Sequence, residues 1–293
     1  MQLRMAQIGY GYWGKNLFRV FSSQKNAELA LCCEKDAKAA ANFKEAYPGV
    51  ELSGDLDAVL ARPDIQAVIL ATPAGLHHAQ CKAALLAGKH VFVEKPLALT
   101  VADAQELIQL ADARKLTLMV GHTFLYNDAV RWVKSFIDQG ELGDVHYAYS
   151  QRLNLGIVRH DVNALWNLAP HDISVVQYWF GETPCRVQAH GQSYLQKGID
   201  DVNFVNMWFT SGRFAHIHVS WLDPFKTRRT VIVGSRKMVV YDDTVPDQRI
   251  TVFDKGIEKK AVKDHMGKKP FENLADFYLM QRAGDIIIPK LSF

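Results

Sequence analysis

The sequence contains little cysteine and no long apolar run. It holds 4 cysteines in 293 residues and no Cys-x-x-Cys pair, and a chain of this length buries enough surface to need no disulfide or metal staple. We therefore expect the cysteines to be reduced thiols in the core. No run reaches the roughly 18 apolar residues of a membrane span, and the first residues show no signal-peptide pattern. These absences predict a cytoplasmic protein that does not bind a membrane.

An excess of charge of one sign is also missing. The chain has 34 Lys and Arg against 31 Asp and Glu, a formal net charge of +3, and neither half concentrates the positive charge. Because nucleic-acid binding usually requires a basic stripe, we expect no nucleic-acid partner. His216 and His218 share one face of a predicted strand, but no carboxylate or cysteine joins them at ligand spacing. We therefore expect no metal.

Short apolar runs alternate with helix-like stretches over the first part of the chain. The predicted strands are Leu3–Ile8, Ala27–Glu34, Ala67–Ala71, His90–Glu94 and Thr117–Val120, and the clearest helices are Leu76–Ala87 and Val101–Arg114. Apolar strands separated by helices predict a parallel sheet that is covered on both faces. Such a sheet is doubly wound and binds ligands at the carboxyl ends of its strands.

After Gly121 the pattern changes. A predicted helix, Asp128–Asp138, is followed by strands with period-two alternation, which favours antiparallel pairing. These strands are Val145–Arg152, Arg186–Tyr194, Asn203–Phe209, Phe214–Trp221, Thr230–Val233 and Ile250–Phe253. The sequence therefore predicts two domains: an α/β domain over 1–121, and an α+β domain with a large, mostly antiparallel sheet over 122–293.

A glycine-rich turn, Gly9-Tyr10-Gly11-Tyr12-Trp13-Gly14, follows the first predicted strand and opens a helix. Its Gly-x-Gly-x-x-Gly spacing is typical of dinucleotide binding. In that pattern Gly9 permits the tight turn, Gly11 lets the backbone approach a pyrophosphate, and Gly14 lets helix and strand pack closely. Tyr12 and Trp13 fall in the same turn and are assigned to the same site. The alternative is a glycine turn without a ligand.

Further polar residues follow the other strands of this domain. Glu34 can accept hydrogen bonds from both ribose hydroxyls of NAD and would repel a 2′-phosphate, so we expect NAD, although Lys35 leaves NADP open. Thr72 offers a hydroxyl beside the expected cofactor, and Pro73 fixes the bend there. His77, in the next helical turn, is assigned to the same site, with a surface histidine as the alternative.

The tripeptide Glu94-Lys95-Pro96 ends the next strand, and two further stretches are distinctive: Gly-His-Thr-Phe-Leu-Tyr at 121–126 and Trp-Asn-Leu-Ala-Pro-His-Asp at 166–172. Together with the glycine turn, they make the sequence resemble the Gfo/Idh/MocA oxidoreductase family, and in particular its nucleotide-sugar members such as the UDP-N-acetylglucosaminuronate 3-dehydrogenases. The resemblance implies a Rossmann domain, a substrate-binding and oligomerisation domain, and a nicotinamide in the cleft against the tripeptide. It also implies a homodimer or homotetramer.

By the same resemblance, Glu94 and Lys95 lie at the cofactor, and Lys95 and His171 are catalytic. Oxidising an alcohol requires a hydride acceptor, which the cofactor supplies, and a base for the proton. Histidine suits the base role. Pro170 is favourable as a first helical residue, which predicts His171 in the first turn, where the helix dipole favours a neutral imidazole. Lys95 would hold the substrate oxygen by hydrogen bond and charge.

One position departs from the family pattern. Many members carry aspartate four residues before the histidine, where this chain has Asn167, assigned here to orient His171. An amide carries no charge to stabilise an imidazolium, which puts in doubt the strength of His171 as a base or the identity of the substrate. Asp172 and Asp161 are candidates to compensate, with a helix-terminus or loop acid as the alternative for each.

Substrate contacts are predicted after the Thr117–Val120 strand and around the His171 loop. The candidates are Tyr126, Arg152, Asn154, Trp166 and Asn167, and His160 is also placed there. Arg152 or Arg159 could meet the diphosphate of an activated sugar, with surface arginines as the alternative.

The sequence thus predicts an NAD-dependent oxidoreductase that acts on a ring hydroxyl or ketone of a sugar. A nucleotide sugar is the first choice and a free sugar or inositol the second. The third is a non-catalytic dinucleotide-binding sensor or assembly subunit. The last residues, 286–293, are largely apolar where similar proteins usually continue with another helix, so we expect the chain to be short at its C-terminus.

Overall fold

The computed structural model of the chain describes residues 2–261, 277–282 and 284–289. It divides into two units, Met1–His122 and Thr123–Phe293. The division predicted from the sequence, 1–121 and 122–293, falls one residue earlier, and the separate roles given to the two domains stay predictions. The expected shortness of the C-terminus concerns a segment whose last residues, 290–293, lie outside the described residues.

From residue 2 onwards, where the structure describes it, the first unit contains six strands and five helices. The strands are β1 (Leu3–Ile8), β2 (Ala27–Cys33), β3 (Glu51–Ser53), β4 (Ala67–Leu70), β5 (His90–Val93) and β6 (Leu118–Val120). The helices are α1 (Gly14–Ser22), α2 (Ala37–Ala46), α3 (Leu56–Leu60), α4 (Ala74–Leu86) and α5 (Val101–Arg114). All strand pairs are parallel, in the order β3-β2-β1-β4-β5-β6.

This order confirms the doubly wound α/β prediction for the first unit. β1 and β4 lie side by side at the centre, and residues of both strands, such as Ala6 and Val68, are fully buried. Two apolar clusters cover the sheet, one containing Leu31, Val68 and Leu85 and the other Phe18, Phe43 and Ile69. In such a sheet the carboxyl ends of β1 and β4, on either side of the change in strand order, are where ligands bind.

Side-chain caps begin several of these helices. Asp36, Asp55 and Thr100 each accept a hydrogen bond from a backbone N–H in the first turn of α2, α3 and α5. Such caps satisfy groups that a helix cannot pair internally. They explain why the predicted bounds of α5 agree with the structure, since the cap and the helical period both mark its start.

The second unit contains two helices and ten strands among the described residues. The helices are α6 (Asp128–Asp138) and α7 (Ala164–Phe180). The strands are β7 (Val145–Leu153), β8 (Arg186–Gln192), β9 (Val202–Trp208), β10 (Phe214–Ser220), β11 (Thr227–Gly234), β12 (Met238–Asp242), β13 (Ile250–Phe253), β14 (Gly256–Ala261), β15 (Phe277–Arg282) and β16 (Ile286–Ile287). Two short 3-10 helices lie at Thr123–Tyr126 and Pro246–Gln248.

Eight of these strands form one sheet in the order β16-β13-β12-β11-β7-β10-β9-β8. Every pair is antiparallel except β7 with β10, which confirms the prediction of a large, mostly antiparallel sheet. α7 packs on this sheet through Val175, Val176 and Trp179, and the Trp179 indole donates a hydrogen bond to the carbonyl of Val130 in α6, 2.9 Å away. The two helices and one face of the sheet therefore share a core.

Three of the four cysteines are buried as predicted, and one is not. Cys32, Cys33 and Cys81 lie in the first unit, and burial raises the pKa of Cys32 and of Cys81 to about 12. Cys185 is exposed, so its predicted core position is wrong, because it precedes β8, an edge strand whose side chains are largely exposed. Within the part of the chain that the structure describes, no helix is long and apolar enough to cross a membrane.

Candidate active site

The glycine turn is held by a buried glutamine of β1. The side-chain amide of Gln7, fully buried, donates hydrogen bonds to the carbonyls of Gly9 and Gly14, both at 2.8 Å. Gly9 has a φ of +94°, and a Cβ there would lie 2.8 Å from the carbonyl oxygen of Ala71. A Cβ on Gly14 would lie 2.5 Å from the carbonyl oxygen of Gly9. Two glycines of the motif are thus required by the backbone itself.

The middle glycine is different, because nothing in the protein requires it. A Cβ on Gly11 would meet no atom within 4 Å among the described residues. α1 begins at Gly14, and no acidic side chain occupies its first turn as the structure describes it, so its positive end is available to an anion. Open space over Gly11 beside this helix terminus fits the pyrophosphate of a dinucleotide. Tyr12 and Trp13 are exposed next to this space.

Glu34 lies directly beyond β2 and is fixed by two backbone groups. Its carboxylate accepts hydrogen bonds from the N–H of Tyr10 at 2.6 Å and from the N–H of Asp36 at 2.8 Å. The side chain is half-buried, and a carboxylate has about four acceptor positions. It therefore retains capacity for ribose hydroxyls while its orientation is set by the glycine turn. This arrangement fits the predicted role at the adenosine ribose.

Replacing Glu34 by glutamine is expected to weaken NAD binding by about tenfold or more, since a charged acceptor is worth more than a neutral one. The affinity for NADP is expected to fall less, because the repulsion of a 2′-phosphate is lost as well. Calorimetric titration with both dinucleotides measures the ratio of the two affinities. Glu45→Gln, on α2, is the matched control. An unchanged NAD-to-NADP ratio would remove Glu34 from the ribose site.

The turn after β4 is stabilised by a buried histidine. His77, 1% exposed, lies with Nε2 2.9 Å from the carbonyl oxygen of Thr72 and Nδ1 2.6 Å from the carbonyl oxygen of Pro96. The surface alternative for His77 is therefore wrong. The Thr72 hydroxyl donates to the side chain of Gln80, and Pro73 lies at the N-cap position of α4. His77 thus connects the end of β4 with the loop that carries Lys95.

The loop after β5 is connected to the glycine turn by a side-chain hydrogen bond. The indole N–H of Trp13 donates to the carboxylate of Glu94 at 2.8 Å, and the backbone N–H of Glu94 donates to the carbonyl of Leu70 at 3.0 Å. Burial raises the pKa of Glu94, while the Trp13 hydrogen bond and the charge of Lys95 act in the opposite direction. The Lys95 loop and the turn expected to bind the pyrophosphate are therefore directly coupled.

His122 lies beside Lys95 and received no role from the sequence. Val93 of β5 pairs with Val120 of β6, and Lys95 and His122 each follow this pair by two residues. Burial and the charge of Lys95 both lower the pKa of His122. Its buried Nδ1 has no hydrogen-bond partner among the described residues. The signal that could have found it is its place after β6, the strand that pairs with β5, since Lys95 follows β5 at the same distance.

In the second unit, the predicted place of His171 is wrong. α7 begins at Ala164, with the side chain of Asn163 accepting a hydrogen bond from the backbone N–H of Trp166 at 3.0 Å. Pro170 therefore lies inside the helix and not at its start, and His171 lies in the interior as well. The Asn163 cap outweighs the preference of proline for a first turn, so the helix dipole does not act on His171 as predicted.

The surface alternatives for Arg152 and Asp172 are also wrong. Arg152 is 8% and Asp172 4% exposed, and the guanidinium donates to the carboxylate twice, at 2.7 and 3.2 Å. Burial opposes the charge of Arg152, but Asp172 raises the pKa of its guanidinium. The carboxylate accepts hydrogen bonds from two of the five N–H donors of the guanidinium and balances its charge, and the contact of Arg152 with a diphosphate stays a prediction. Asp172 is neither a helix-terminus acid nor a loop acid.

The remaining substrate candidates lie in the second unit. Tyr126 is exposed, and the guanidinium of Arg131 lies 5.2 Å from its ring centre. Asn154, just beyond β7, donates its backbone N–H to Ser220. Trp166 is exposed and Asn167 half-buried in α7.

Three further residues of this region are engaged with neighbours. Arg159 pairs with Asp161 at 2.6 Å, so Asp161 has an ionic partner of its own. His160 Nδ1 lies 2.5 Å from the side-chain oxygen of Gln196. No group of three metal-ligating side chains occurs within the described residues.

A parallel sheet with a glycine turn at its carboxyl edge, followed by a mostly antiparallel sheet packed against helices, is typical of a dinucleotide-binding protein with a second, α+β domain. Residues 3–122 match the family model described as an oxidoreductase family with an NAD-binding Rossmann fold, and residues 130–240 match the GFO/IDH/MocA C-terminal domain. The chain therefore belongs to the Gfo/Idh/MocA oxidoreductase family. The resemblance stated from the motifs is thus confirmed, and so is the NAD-binding fold.

Individual relatives agree with this assignment. An uncharacterized oxidoreductase of Streptococcus pneumoniae serotype 4 is 31% identical over 80% of this chain and 67% of its own length. A UDP-N-acetylglucosamine 3-dehydrogenase of Acidithiobacillus ferrooxidans is 28% identical over 75% of this chain and 67% of its own. The crystal structure of the WlbA dehydrogenase from Bordetella pertussis with NADH and UDP-GlcNAcA superimposes with a TM-score of 0.77 at 22% identity, covering 84% and 75% of the two chains. The first curated relatives are matched over 47% to 67% of their length.

Proposed function

We propose that the protein is an NAD-dependent oxidoreductase that transfers hydride between nicotinamide and a ring hydroxyl or ketone of a nucleotide sugar. The observation that carries the proposal is the Trp13–Glu94 hydrogen bond. It couples the turn expected to bind the pyrophosphate to the loop whose next residue is Lys95. A dinucleotide on this turn would extend towards a lysine, and that combination suits redox chemistry at a carbon–oxygen bond.

The residues would divide the work as follows. Gly11 and the start of α1 would hold the pyrophosphate, Glu34 the adenosine ribose, and the loop with Thr72 and Pro73 the adjoining part of the cofactor. When bound, the nicotinamide supplies the hydride acceptor or donor. Lys95 would donate a hydrogen bond to the substrate oxygen and stabilise negative charge that develops there. His171, in α7, would take the proton from the hydroxyl in the oxidative direction.

The substrate class rests on relatives and on the second unit's aromatic side chains. A nucleotide sugar is the substrate named for the Acidithiobacillus relative. The exposed rings of Tyr126 and Trp166 offer apolar faces of the kind that sugars and bases pack against. Because Asp172 already balances the charge of Arg152, we assign the diphosphate to another cation, Arg131 beside Tyr126.

The test is a turnover assay that follows the near-ultraviolet absorbance of NADH. UDP- and dTDP-linked sugars, the corresponding free sugars and inositol are each supplied with NAD, and the 3-keto forms with NADH. Turnover of a nucleotide sugar is expected. Preference for a free sugar or inositol would make that compound, and not a nucleotide sugar, the substrate class. Tight NADH binding without turnover of any substrate would support a sensor or assembly subunit.

Replacing Asn167 by aspartate is expected to raise kcat/KM by about twofold or more, because residues four apart lie on one helix face and a carboxylate there would stabilise an imidazolium at His171. Asn163→Asp, which adds the same charge at the N-cap of the same helix, is the matched control. Initial rates at saturating NAD measure the effect. If kcat/KM of Asn167→Asp is unchanged or lower, the amide of Asn167 does not limit proton transfer to His171.

A further inference from the structure

A network of polar groups lies beneath α7 in the second unit. The Ser150 hydroxyl donates to the Asp172 carboxylate at 2.7 Å, and the Ser150 and Thr230 hydroxyls lie 2.9 Å apart. Together with the two hydrogen bonds from Arg152, these contacts engage both oxygens of Asp172. All four residues are at most 8% exposed. Asp172 is therefore held rigidly against β7 and β11.

One aromatic ring joins this network to the histidine of α7. The guanidinium of Arg152 lies 4.6 Å from the centre of the Phe124 ring. The same ring lies 4.8 Å from the imidazole of His171, centre to centre, with 50° between the planes. Phe124 thus contacts both side chains. Since adjacent helix residues point in different directions, Asp172 is turned towards the sheet while His171 packs on Phe124.

Burying an ion pair in a protein core costs the desolvation free energy of both charges. Apolar side chains of similar volume often give equal or greater stability than such a pair, so packing alone does not require Arg152 and Asp172. A guanidinium over an aromatic ring fixes the ring by a directional attraction. The ring in turn limits where the half-buried imidazole of His171 can lie. Arg152 also balances the charge of Asp172, the neighbour of His171 in the helix.

We infer that Arg152, Asp172 and Phe124 are positioning residues for His171: the ion pair fixes the Phe124 ring, and the ring fixes the imidazole. This inference rests on the proposed role of His171 as the proton acceptor. It gives Arg152 a role apart from the predicted contact with a diphosphate, and it gives the chain a means of orienting His171 that does not depend on a carboxylate at position 167.

The first test measures the imidazole directly and needs no turnover. The His171 signal is assigned in the NMR spectrum of histidine-labelled protein by its absence in His171→Asn. Its chemical shift is then followed as a function of pH, which gives the midpoint of the His171 titration. Asp172→Asn leaves the cation of Arg152 unbalanced and should move the His171 midpoint to lower pH. Arg152→Gln leaves the carboxylate of Asp172 unbalanced and should move it to higher pH. Midpoints that coincide with wild type, or that move in the same direction, would overturn the inference.

The second test uses Phe124, because variants of the buried pair can fail to fold. Phe124→Leu keeps an apolar side chain but loses the ring face, whereas Phe124→Tyr keeps it. We expect kcat to fall about tenfold to hundredfold in Phe124→Leu, with KM, NAD affinity and melting temperature close to wild type, and to be retained in Phe124→Tyr. Equal kcat in the two variants, or a change confined to melting temperature, would overturn the inference.

The two proposals fail in different ways. If wild-type protein turns over no substrate, the proposed function fails, while the opposite movements of the His171 midpoint still decide whether the network acts on the imidazole. If His171→Asn turns over as wild type does, His171 is not the base, whatever its position. If His171→Asn is inactive and Phe124→Leu behaves as Phe124→Tyr does, only the positioning inference fails.

Discussion

Replacing Lys95 by alanine is expected to lower kcat by about 10²–10⁴-fold, the usual cost of losing a positioned proton-transfer or oxyanion-stabilising group. The affinity for NAD is expected to stay within about tenfold of wild type, because the contacts assigned to the pyrophosphate and the ribose come from Gly11 and Glu34. The loop is expected to keep its place, since the backbone N–H of Glu94 bonds the carbonyl of Leu70 and Trp13 bonds the Glu94 carboxylate.

Steady-state kinetics and NADH titration of the same preparations separate chemistry from binding. Lys38→Ala, which removes an exposed lysine of α2, controls for the loss of one positive charge. Lys95→Arg keeps the charge but changes its shape and donors, and it is expected to recover only part of kcat. Turnover of Lys95→Ala close to wild type would exclude the lysine from the reaction, and loss of NAD binding in parallel would make it a cofactor contact instead.

Replacing Gly11 by alanine is expected to weaken NAD binding by about a hundredfold while leaving the fold intact. The structure offers space for the added methyl group, since no described atom would lie within 4 Å of it. If the pyrophosphate lies in that space, the methyl group and the cofactor cannot both occupy it. A loss of about 2.7 kcal/mol in binding corresponds to this hundredfold change.

Gly49→Ala provides the matched control, because a Cβ there also meets nothing within 4 Å and the residue lies outside the glycine turn. Gly14→Ala is unsuitable, since its Cβ would collide with the backbone carbonyl of Gly9 and disturb the fold itself. Calorimetric titration with NADH and thermal unfolding are measured for both alanine variants. Wild-type NADH affinity in Gly11→Ala would place the cofactor elsewhere.

The first unit could be predicted from the sequence because its signals are local. Apolar strands, the spacing of Gly9, Gly11 and Gly14, and the Thr100 cap lie within a few residues of the elements that they define. The strand ends differ by about one residue: β2 ends at Cys33 and not at Glu34, and β4 ends at Leu70. These are the positions where the chain leaves the sheet and its side chains become free to meet a ligand.

The second unit was predicted less well because its site depends on contacts between distant segments. The Arg152–Asp172 pair joins a strand to a helix, and Phe124 comes from a third segment. No local sequence pattern predicts that an arginine and an aspartate will be buried together, and the usual preference of charged residues for the surface argues against such burial. The helix start predicted from Pro170 was wrong for a related reason, because the Asn163 cap and the packing of α7 on the sheet place that start earlier in the chain.

The most direct test of the central claim is a crystal structure of the protein with NADH bound. The pyrophosphate is expected over Gly11 at the start of α1, the adenosine ribose at the carboxylate of Glu34, and the nicotinamide beside the amine of Lys95. A cofactor bound away from the glycine turn, or a nicotinamide on the far side of the sheet from Lys95, would contradict the account.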